Sequence, residues 1–154
     1  WSDYIVETLS RAGFHRYEVS NYALGNHESY HNKVYWHYEN YYGVGIGATG
    51  KIDDELISHS RSLTDYLQGK NTIYIEKETI EDTMFNHLMM SLRLEEGLDL
   101  DEFKRRYHHA IEEVYKEALS KNLDNHNLVI ENNHLKTNHT LDLLNSILLD
   151  FLPE

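Results

Sequence analysis

Residues 17–50 are YEVSNYALGNHESYHNKVYWHYENYYGVGIGATG, and this stretch decides how the rest of the chain is interpreted. Its centre, residues 30–42, contains six aromatic side chains interleaved with histidines: Tyr30, Tyr35, Trp36, Tyr38, Tyr41, Tyr42, with His31 and His37. Alternating glycines follow directly. Aromatic faces, imidazole nitrogens and backbone without side chains are features that accommodate a flat, partly polar ligand. The stretch therefore predicts a binding site for such a ligand.

The composition limits the classes of protein that the chain can represent. With 154 residues and 40% hydrophobic content, it can form one ordinary domain or two small ones. The net charge of −12 predicts no general attraction to nucleic acid or to an anionic membrane. There is no cysteine, which excludes disulfides and any iron–sulfur cluster ligated by these residues. Without a membrane-length apolar run, we expect a cytoplasmic protein, and the start at Trp1 suggests part of a longer one.

The first half of the chain predicts a helix followed by strands. Apolar residues at helical spacing predict a helix over residues 1–12, which ends at Gly13. Residues 14–22 predict one strand with a polar face, so that helix and strand form half of an α/β unit. Residues 43–50 predict a glycine-lined strand, since Val44 and Ile46 alternate with glycine. Residues 53–55 predict an exposed turn, and residues 62–69 a short helix that is followed by an extended segment.

A change in composition near residues 70–78 predicts two domains, 1–75 and 76–154. The first carries a net charge of −3 and seven glycines, and the second a net charge of −9 and one glycine. Apolar stripes in the second domain predict helices from Thr79, from Asp99 and over 111–122, then a hairpin over 128–137 and a last helix before Pro153. This order is typical of a winged-helix-like module. Its third helix is acidic, so we expect no nucleic acid to bind.

The segment His27-Glu28-Ser29-Tyr30-His31 satisfies the H-E-x-x-H pattern of zinc peptidases. That site needs a helix through both histidines, whereas Gly25 and Asn26 come immediately before them. Zinc peptidase activity is therefore a remote alternative. The remaining histidines of the second domain predict surface or hairpin positions without a function: His87, His108, His109, His126, His134 and His139.

Gly45-x-Gly47-x-x-Gly50 matches the dinucleotide-binding pattern, but a turn and not a helix is predicted to follow it. Two interpretations of these glycines stay open. They allow a ligand to approach the backbone, or they allow tight packing against a neighbouring element.

Four motifs follow one another along the chain: Tyr17-Glu18-Val19-Ser20-Asn21-Tyr22-Ala23, His27-Glu28-Ser29, His31-Asn32 with Tyr35-Trp36, and Gly43-x-Gly45-x-Gly47-Ala48. In this order they resemble the motifs of the oxygen-independent coproporphyrinogen III oxidase family of radical S-adenosylmethionine proteins. The segment from residue 76 resembles that family's C-terminal domain. The chain departs from the family at Leu24-Gly25-Asn26, where a proline-glycine turn is expected, and at Thr49, where a histidine is frequent.

The motif His31-Asn32-x-x-Tyr35-Trp36 resembles the HemW-like subgroup of haem chaperones. The resemblance implies that these four residues bind haem or a porphyrin, with His31 as the candidate ligand of the haem iron. Imidazole commonly ligates iron, and aromatic faces suit a porphyrin plane. The alternative is that His31 is hydrogen-bonded within its loop and Trp36 lies in the core.

The resemblance also implies a fold and cofactors. Residues 1–75 would be the last part of an incomplete parallel (β/α) barrel, and residues 76–154 a helical, winged-helix-like domain. A full-length parent would use a 4Fe-4S cluster and S-adenosylmethionine, and this cysteine-free segment alone would be catalytically inactive. The residues expected near the cofactor or substrate are Glu18, Ser20, Asn21, Gly43, Gly45, Gly47 and Ala48.

Two activities of such a parent stay open. A chaperone would pass haem to an acceptor protein, whereas a true oxidase would remove two propionate carboxyl groups from coproporphyrinogen III by radical chemistry. A third interpretation, of another class, is a non-catalytic module that binds a partner protein through the second domain.

Overall fold

A computed structural model describes residues 2–138 and 141–152 of the chain. Its first half contains α1 (Ser2–Arg11), β1 (Phe14–Glu18), β2 (Asn21–Leu24), α2 (Tyr30–Trp36), β3 (Thr49–Ile52), β4 (Glu55–His59), α3 (Leu63–Leu67) and β5 (Ile73–Lys77). Its second half contains α4 (Ile80–Ser91), β6 (Leu98–Asp99), α5 (Leu100–Tyr107), α6 (Ile111–Val114), α7 (Lys116–Asp124), β7 (Leu128–Glu131), β8 (His134–Thr137) and α8 (Leu144–Leu148), with 3₁₀ turns at Leu141–Leu143 and Leu149–Phe151. Helices and sheets alternate, which confirms the mixed α/β class. Trp1, His139 and Pro153 lie outside the described residues.

The single strand predicted over residues 14–22 is wrong, because the chain reverses within it. After α1 ends at Gly13, β1 and β2 pair as an antiparallel hairpin. The Glu18 carboxylate accepts hydrogen bonds from the Ser20 amide at 2.9 Å and from the Asn21 side chain at 2.6 Å. This local capping of the turn reverses the chain without a glycine.

Strands β3, β4 and β5 form a second antiparallel sheet in that order. The predicted turn lies between β3 and β4, where Asp53 adopts a left-handed conformation with φ of 52°. Strand β5 lies at the edge of the sheet, and all five of its residues are exposed, including Ile73, Tyr74 and Ile75.

The glycine-lined strand predicted over residues 43–50 is also wrong, because residues 43–48 form a loop and β3 begins at Thr49. A Cβ atom added to Gly43 would lie 2.5 Å from the Thr49 carbonyl group, and one added to Gly50 would lie 2.8 Å from the Gly43 nitrogen. The two backbone segments therefore touch directly. Packing explains Gly43 and Gly50, whereas a Cβ added to Gly45 would meet nothing within 4 Å.

The helices predicted for the second half are present, and local capping fixes where two of them begin. The Thr79 side chain caps α4 and the Asp99 side chain caps α5, as the sequence predicts. The helix predicted over 111–122 is divided into α6 and α7 at Tyr115, whose φ and ψ are −121° and 39°. The predicted hairpin is β7–β8, and β6 extends it to a sheet of order β6-β8-β7. Fully buried side chains between sheet and helices include Leu88, Leu92, Leu98, Phe103 and Leu135.

The two halves meet along β1, α2 and α4. The Val19 amide donates to the Arg93 carbonyl oxygen at 3.1 Å, and the Glu95 amide donates to the Tyr17 carbonyl oxygen at 3.0 Å. These hydrogen bonds join residues on the two sides of the predicted domain boundary. The boundary itself stays a prediction. Within the described ranges, none of the helices has the length and apolar composition needed to cross a bilayer.

Candidate functional site

Helix α2 carries the predicted ligand-binding residues and begins at a conventional cap. The Ser29 hydroxyl oxygen accepts a hydrogen bond from the Asn32 amide at 3.3 Å, which fixes the first turn. The helix ends at Trp36, and Tyr38 follows with a left-handed φ of 54°. Since residues four apart lie on one side of a helix, His31 and Tyr35 share one side and Asn32 and Trp36 share another.

The first of these sides is exposed and aromatic. The imidazole of His31 is exposed and meets the ring of Tyr35 edge to face, with 4.9 Å between ring centroids. Tyr35 in turn meets Tyr41 at 4.4 Å. We call His31, Tyr35 and Tyr41 the aromatic row. Burial and the neighbouring Tyr35 raise the pKa of Tyr41. The row leaves the His31 ring open to an incoming ligand, with an aromatic edge beside it.

Trp36 faces the interior and packs against the core. Its indole packs with Tyr17, Ala23 and Leu94, and the Arg93 guanidinium lies 4.6 Å from its ring centroid. Its indole nitrogen is buried without a hydrogen-bond partner among the described residues. Trp36 therefore packs α2 against the core. His31, by contrast, is exposed on the helix and does not lie in a loop.

A polar network joins the first and third sequence motifs. The Asn32 side chain donates to Asn21 at 3.5 Å, and Asn21 donates to Glu18. Arg93 contacts the same Glu18 carboxylate through Nε at 2.9 Å and Nη2 at 2.6 Å. Burial of Glu18 raises its pKa, but the hydrogen bonds from Ser20, Asn21 and Arg93 outweigh burial and hold that pKa below its usual value. The predicted cofactor-proximal residues Glu18, Ser20 and Asn21 thus lie together, with the Glu18 carboxylate bonded within the protein.

The glycine loop, residues 43–48, follows the aromatic row directly. Tyr41 and Lys51 exchange backbone hydrogen bonds of 2.8 and 2.9 Å, which anchors the start of the loop to β3. The Gly47 amide donates to the Ser60 carbonyl oxygen at 3.1 Å and so anchors its end. The loop that contains Gly43, Gly45, Gly47 and Ala48 is therefore anchored at both ends, and Val44 within it is 89% exposed.

A second cluster, which sequence reasoning missed, lies where the halves meet. The buried Tyr38 hydroxyl donates to both oxygens of Glu78 at 2.6 Å, and Lys51 Nζ lies 4.3 Å from the Tyr38 ring centroid. Tyr38 and Lys51 border a cavity of about 400 Å³ that Arg106 and Tyr107 also line. Burial together with the Glu78 carboxylate raises the pKa of Tyr38. No local pattern links residues 38 and 78, so sequence patterns do not predict this pair.

The surface position predicted for His87 is wrong. The side chain is 3% exposed and stacks between Tyr38 and Phe103, at ring-centroid distances of 6.2 and 6.0 Å. Burial, reinforced by the nearby Arg106 charge, lowers the pKa of His87 to about 3. His87 lies three residues after the buried Met84 and four before the buried Ser91, and this helical spacing could have identified it as a core residue.

The geometry contradicts the zinc-peptidase alternative. His27 and Glu28 precede α2, so that the two histidines do not share a helical face. The Glu28 carboxylate instead accepts a hydrogen bond from Lys33 at 2.9 Å and lies 3.0 Å from His15 Nε2. Across residues 2–138 and 141–152, no group of three or more metal-ligating side chains is close enough to hold a metal ion.

Comparison with known proteins identifies similar sequences and a similar fold. Residues 79–139 match the family model of the HemN C-terminal domain. The chain is 31% identical over 126 residues to heme chaperone HemW of Lactococcus lactis, an alignment that covers 77% of this chain and 32% of that protein. It is 36% identical over 99 residues to heme chaperone HemW of Synechocystis, and this alignment covers 60% of this chain and 24% of that protein.

The fold is similar to the solved structure of coproporphyrinogen III oxidase (HemN) from Escherichia coli, which is described as a radical SAM enzyme. The TM-score is 0.71 at 14% identity, and the match covers 97% of this chain and 39% of that one. The chain thus spans about a third of the length of the relatives that it matches.

Proposed function

We propose, from the premise that this chain belongs to the family of HemN and HemW proteins, that it is part of a haem chaperone and that haem is its cargo. Relatives of up to 36% identity carry the name heme chaperone HemW, which favours a chaperone over a true coproporphyrinogen III oxidase. An acceptor protein, in the cytoplasm, would then receive the haem.

The observation that carries this proposal is the exposed imidazole of His31 at the end of the aromatic row. A neutral imidazole nitrogen is a strong ligand for haem iron, and ligation needs a ring that solvent and ligand can reach. Tyr35 would pack against the porphyrin beside the ligated iron, because aromatic rings bury large apolar area.

The remaining motif residues would act by holding α2 in place. Asn32 connects the helix to Asn21 and Glu18, and Trp36 packs beneath it against Arg93. The glycine loop, next to Tyr41, would border the porphyrin edge, where backbone without side chains allows close approach.

The cofactors of the wider family would have to be bound by other residues. Thiolates hold iron–sulfur clusters and this chain has no cysteine, so its residues do not fit a 4Fe-4S cluster. In a full-length parent, such a cluster with S-adenosylmethionine would supply radical chemistry. Glu18, Ser20, Asn21 and the glycine loop would then border that cofactor, at the end of an incomplete barrel that precedes a winged-helix-like domain.

The experiment is a visible-absorbance titration of the 154-residue chain with ferric haem, repeated with His31→Ala. We expect saturable one-to-one binding in the wild type, with a Soret band that shifts in the variant and an affinity that falls about tenfold or more as the iron loses its protein ligand. Iron-free protoporphyrin IX should bind both proteins equally, since it tests stacking without ligation.

The matched control is His27→Ala, which removes an exposed histidine that lies before α2. This variant should bind haem like the wild type. Equal spectra and affinities for the wild type and His31→Ala would contradict the assignment of His31, and absence of haem binding to the wild type would contradict the proposed function.

A further inference from the structure

A second surface of the molecule, remote in sequence from the aromatic row, is an open apolar groove in the second half. It has a volume of about 670 Å³ and lies where α4, the α6–α7 break and the last 3₁₀ turn meet. Its apolar walls are formed by Met84, Phe85, Val114, Tyr115, Ala118 and Phe151. Tyr115 and Phe151 pack edge to face at 5.5 Å, so that aromatic rings form its floor.

The charge around this groove has one dominant sign. Five acidic residues line it, namely Glu81, Asp82, Glu113, Glu117 and Asp150, against the single lysine Lys116. Asp150 is paired with Lys121 at 2.6 Å, and the Asp82 carboxylate is used in the cap with Thr79. Glu81 and Glu117 are exposed and form no ion pair within the described part of the chain. The rim therefore presents uncompensated negative charge to a partner.

We infer that this groove is the docking site for a basic amphipathic helix of a partner protein. An amphipathic helix buries apolar side chains spaced at i, i+3, i+4 and i+7 in a groove of this kind, while its polar flanks contact the rim. An acidic rim selects lysine and arginine on those flanks and rejects acidic segments, because complementary charge controls partner choice more than total affinity. The inference does not rest on haem binding, since neither α2 nor the glycine loop contributes to the groove.

The probe is the fluorescein-labelled peptide KLLKKLLKKLLKKL, which places leucines on one helical face and lysines on the other. Its fluorescence anisotropy is measured against the 154-residue chain at low and moderate salt. The same peptide with glutamate at every lysine is the charge control. We expect saturable binding of the basic peptide that weakens as salt is raised, and no binding of the acidic one.

Two variants and one matched control locate the binding. Glu81→Lys with Glu117→Lys reverses two rim charges, each in the first turn of its helix. Asp101→Lys with Glu112→Lys makes the same change at exposed first-turn positions of α5 and α6 that do not line the groove. Ala118→Phe fills the groove without changing its charge. The rim pair and Ala118→Phe should each weaken binding about tenfold, and the control pair should leave it within about twofold.

Equal weakening by the rim pair and the control pair would overturn the inference, since the peptide would then respond to net charge alone. Unchanged binding by Ala118→Phe, with circular dichroism like that of the wild type, would also overturn it. If sedimentation shows a dimer that the rim pair and Ala118→Phe dissociate and the control pair does not, the groove binds a second copy of the chain and the inference is wrong. Haem titration of the rim pair should match the wild type, which separates this test from that of the chaperone function.

Discussion

At the scale of single residues, His87 shows how a titratable group can be part of a core. Its ring lies among Tyr38, Phe103 and Tyr107, and its Nδ1 has no hydrogen-bond partner among the described residues. The charged groups that act on it are Arg106, Lys51 and His37, which disfavour a proton, and Glu102, which favours one. The folded protein therefore holds this imidazole neutral.

Replacing His87 should reduce the acid sensitivity of the protein. The pKa of His87 falls from 6.5 to about 3 on folding. Between these values the unfolded chain binds a proton that the folded chain does not, so stability falls as pH falls, by up to about 1.4 kcal/mol per pH unit. His87→Leu removes this dependence. Urea unfolding at a series of pH values from 7.5 to 4.5 measures the slope of the free energy of unfolding.

The control for this prediction is His126→Leu, which changes an exposed histidine. Its slope should equal that of the wild type. The pKa of Glu96 is lowered to about 2 by the hydrogen bond from His37, so its stabilising contribution is lost only below about pH 4.5 and does not affect the comparison. Equal slopes for His87→Leu and the wild type would contradict the buried, neutral imidazole.

At the scale of elements, capping and periodicity determine what the sequence could predict. Thr79 and Asp99 cap helices α4 and α5, and in each case a capping side chain with a carboxylate three residues on gives a local signal. The β1–β2 turn gives no such signal. The Glu18 side chain stabilises this turn through hydrogen bonds from Ser20 and Asn21, and none of these residues marks a turn as clearly as glycine or proline would. The alternation in the glycine loop predicts a strand there, because alternation alone does not report the backbone contact between Gly43 and Thr49.

Sequence motifs identify the residues of the candidate site, but they do not predict how these residues are arranged. The motif identifies His31 and Trp36, but it does not predict the helix that turns these two side chains in different directions. Its cap, Ser29, could have indicated that helix, and helical spacing would then have grouped His31 with Tyr35. The contact of Tyr38 with Glu78 spans 40 residues, and single-sequence patterns do not reach that distance.

Gly43→Ala should destabilise the β3–β4 hairpin and the loop that precedes it. The new methyl group would lie 2.5 Å from the backbone of Thr49, which has no side-chain freedom to yield, so we expect a loss of about 1–3 kcal/mol in the free energy of unfolding. Chemical denaturation measures this loss. Val44→Ala, one residue away and 89% exposed, should change stability by less than about 0.5 kcal/mol. Similar values for the two variants would contradict the close backbone contact.

At the scale of the whole molecule, buried polar contacts join the two halves. Glu18 is fully buried and pairs with Arg93, and the Tyr38–Glu78 hydrogen bond spans the predicted boundary. The Ser91 hydroxyl donates to the Trp36 carbonyl oxygen at 3.2 Å. Such groups are costly to separate, because each would leave a buried charge or dipole without its partner.

The two halves should consequently unfold in one transition. Both tryptophans lie in the first 75 residues, so fluorescence reports the first half, while far-ultraviolet circular dichroism is dominated by the helices of the second. We expect the two urea midpoints to coincide. Arg93→Ala should lower both midpoints together, with a loss of about 3 kcal/mol, because it leaves the Glu18 carboxylate buried and uncompensated.

Arg105→Ala provides the comparison, since it breaks an exposed ion pair with Glu102 and should cost less than about 1 kcal/mol. Two separate midpoints in the wild type, or a loss in Arg93→Ala that appears in one signal only, would contradict a single cooperative unit.

The exposed edge strand β5 limits its own capacity to polymerise. Its apolar run is only Ile73–Tyr74–Ile75, and Lys70 precedes it while Glu76 and Lys77 follow directly. Fibrils with stacked strands grow from segments of about six or seven residues with little charge. In-register copies of β5 would place glutamate over glutamate and lysine over lysine in every layer, so repulsion rises with each added copy. The charged residues beside the apolar run therefore oppose growth of a fibril, although the strand edge can still pair with one neighbouring strand.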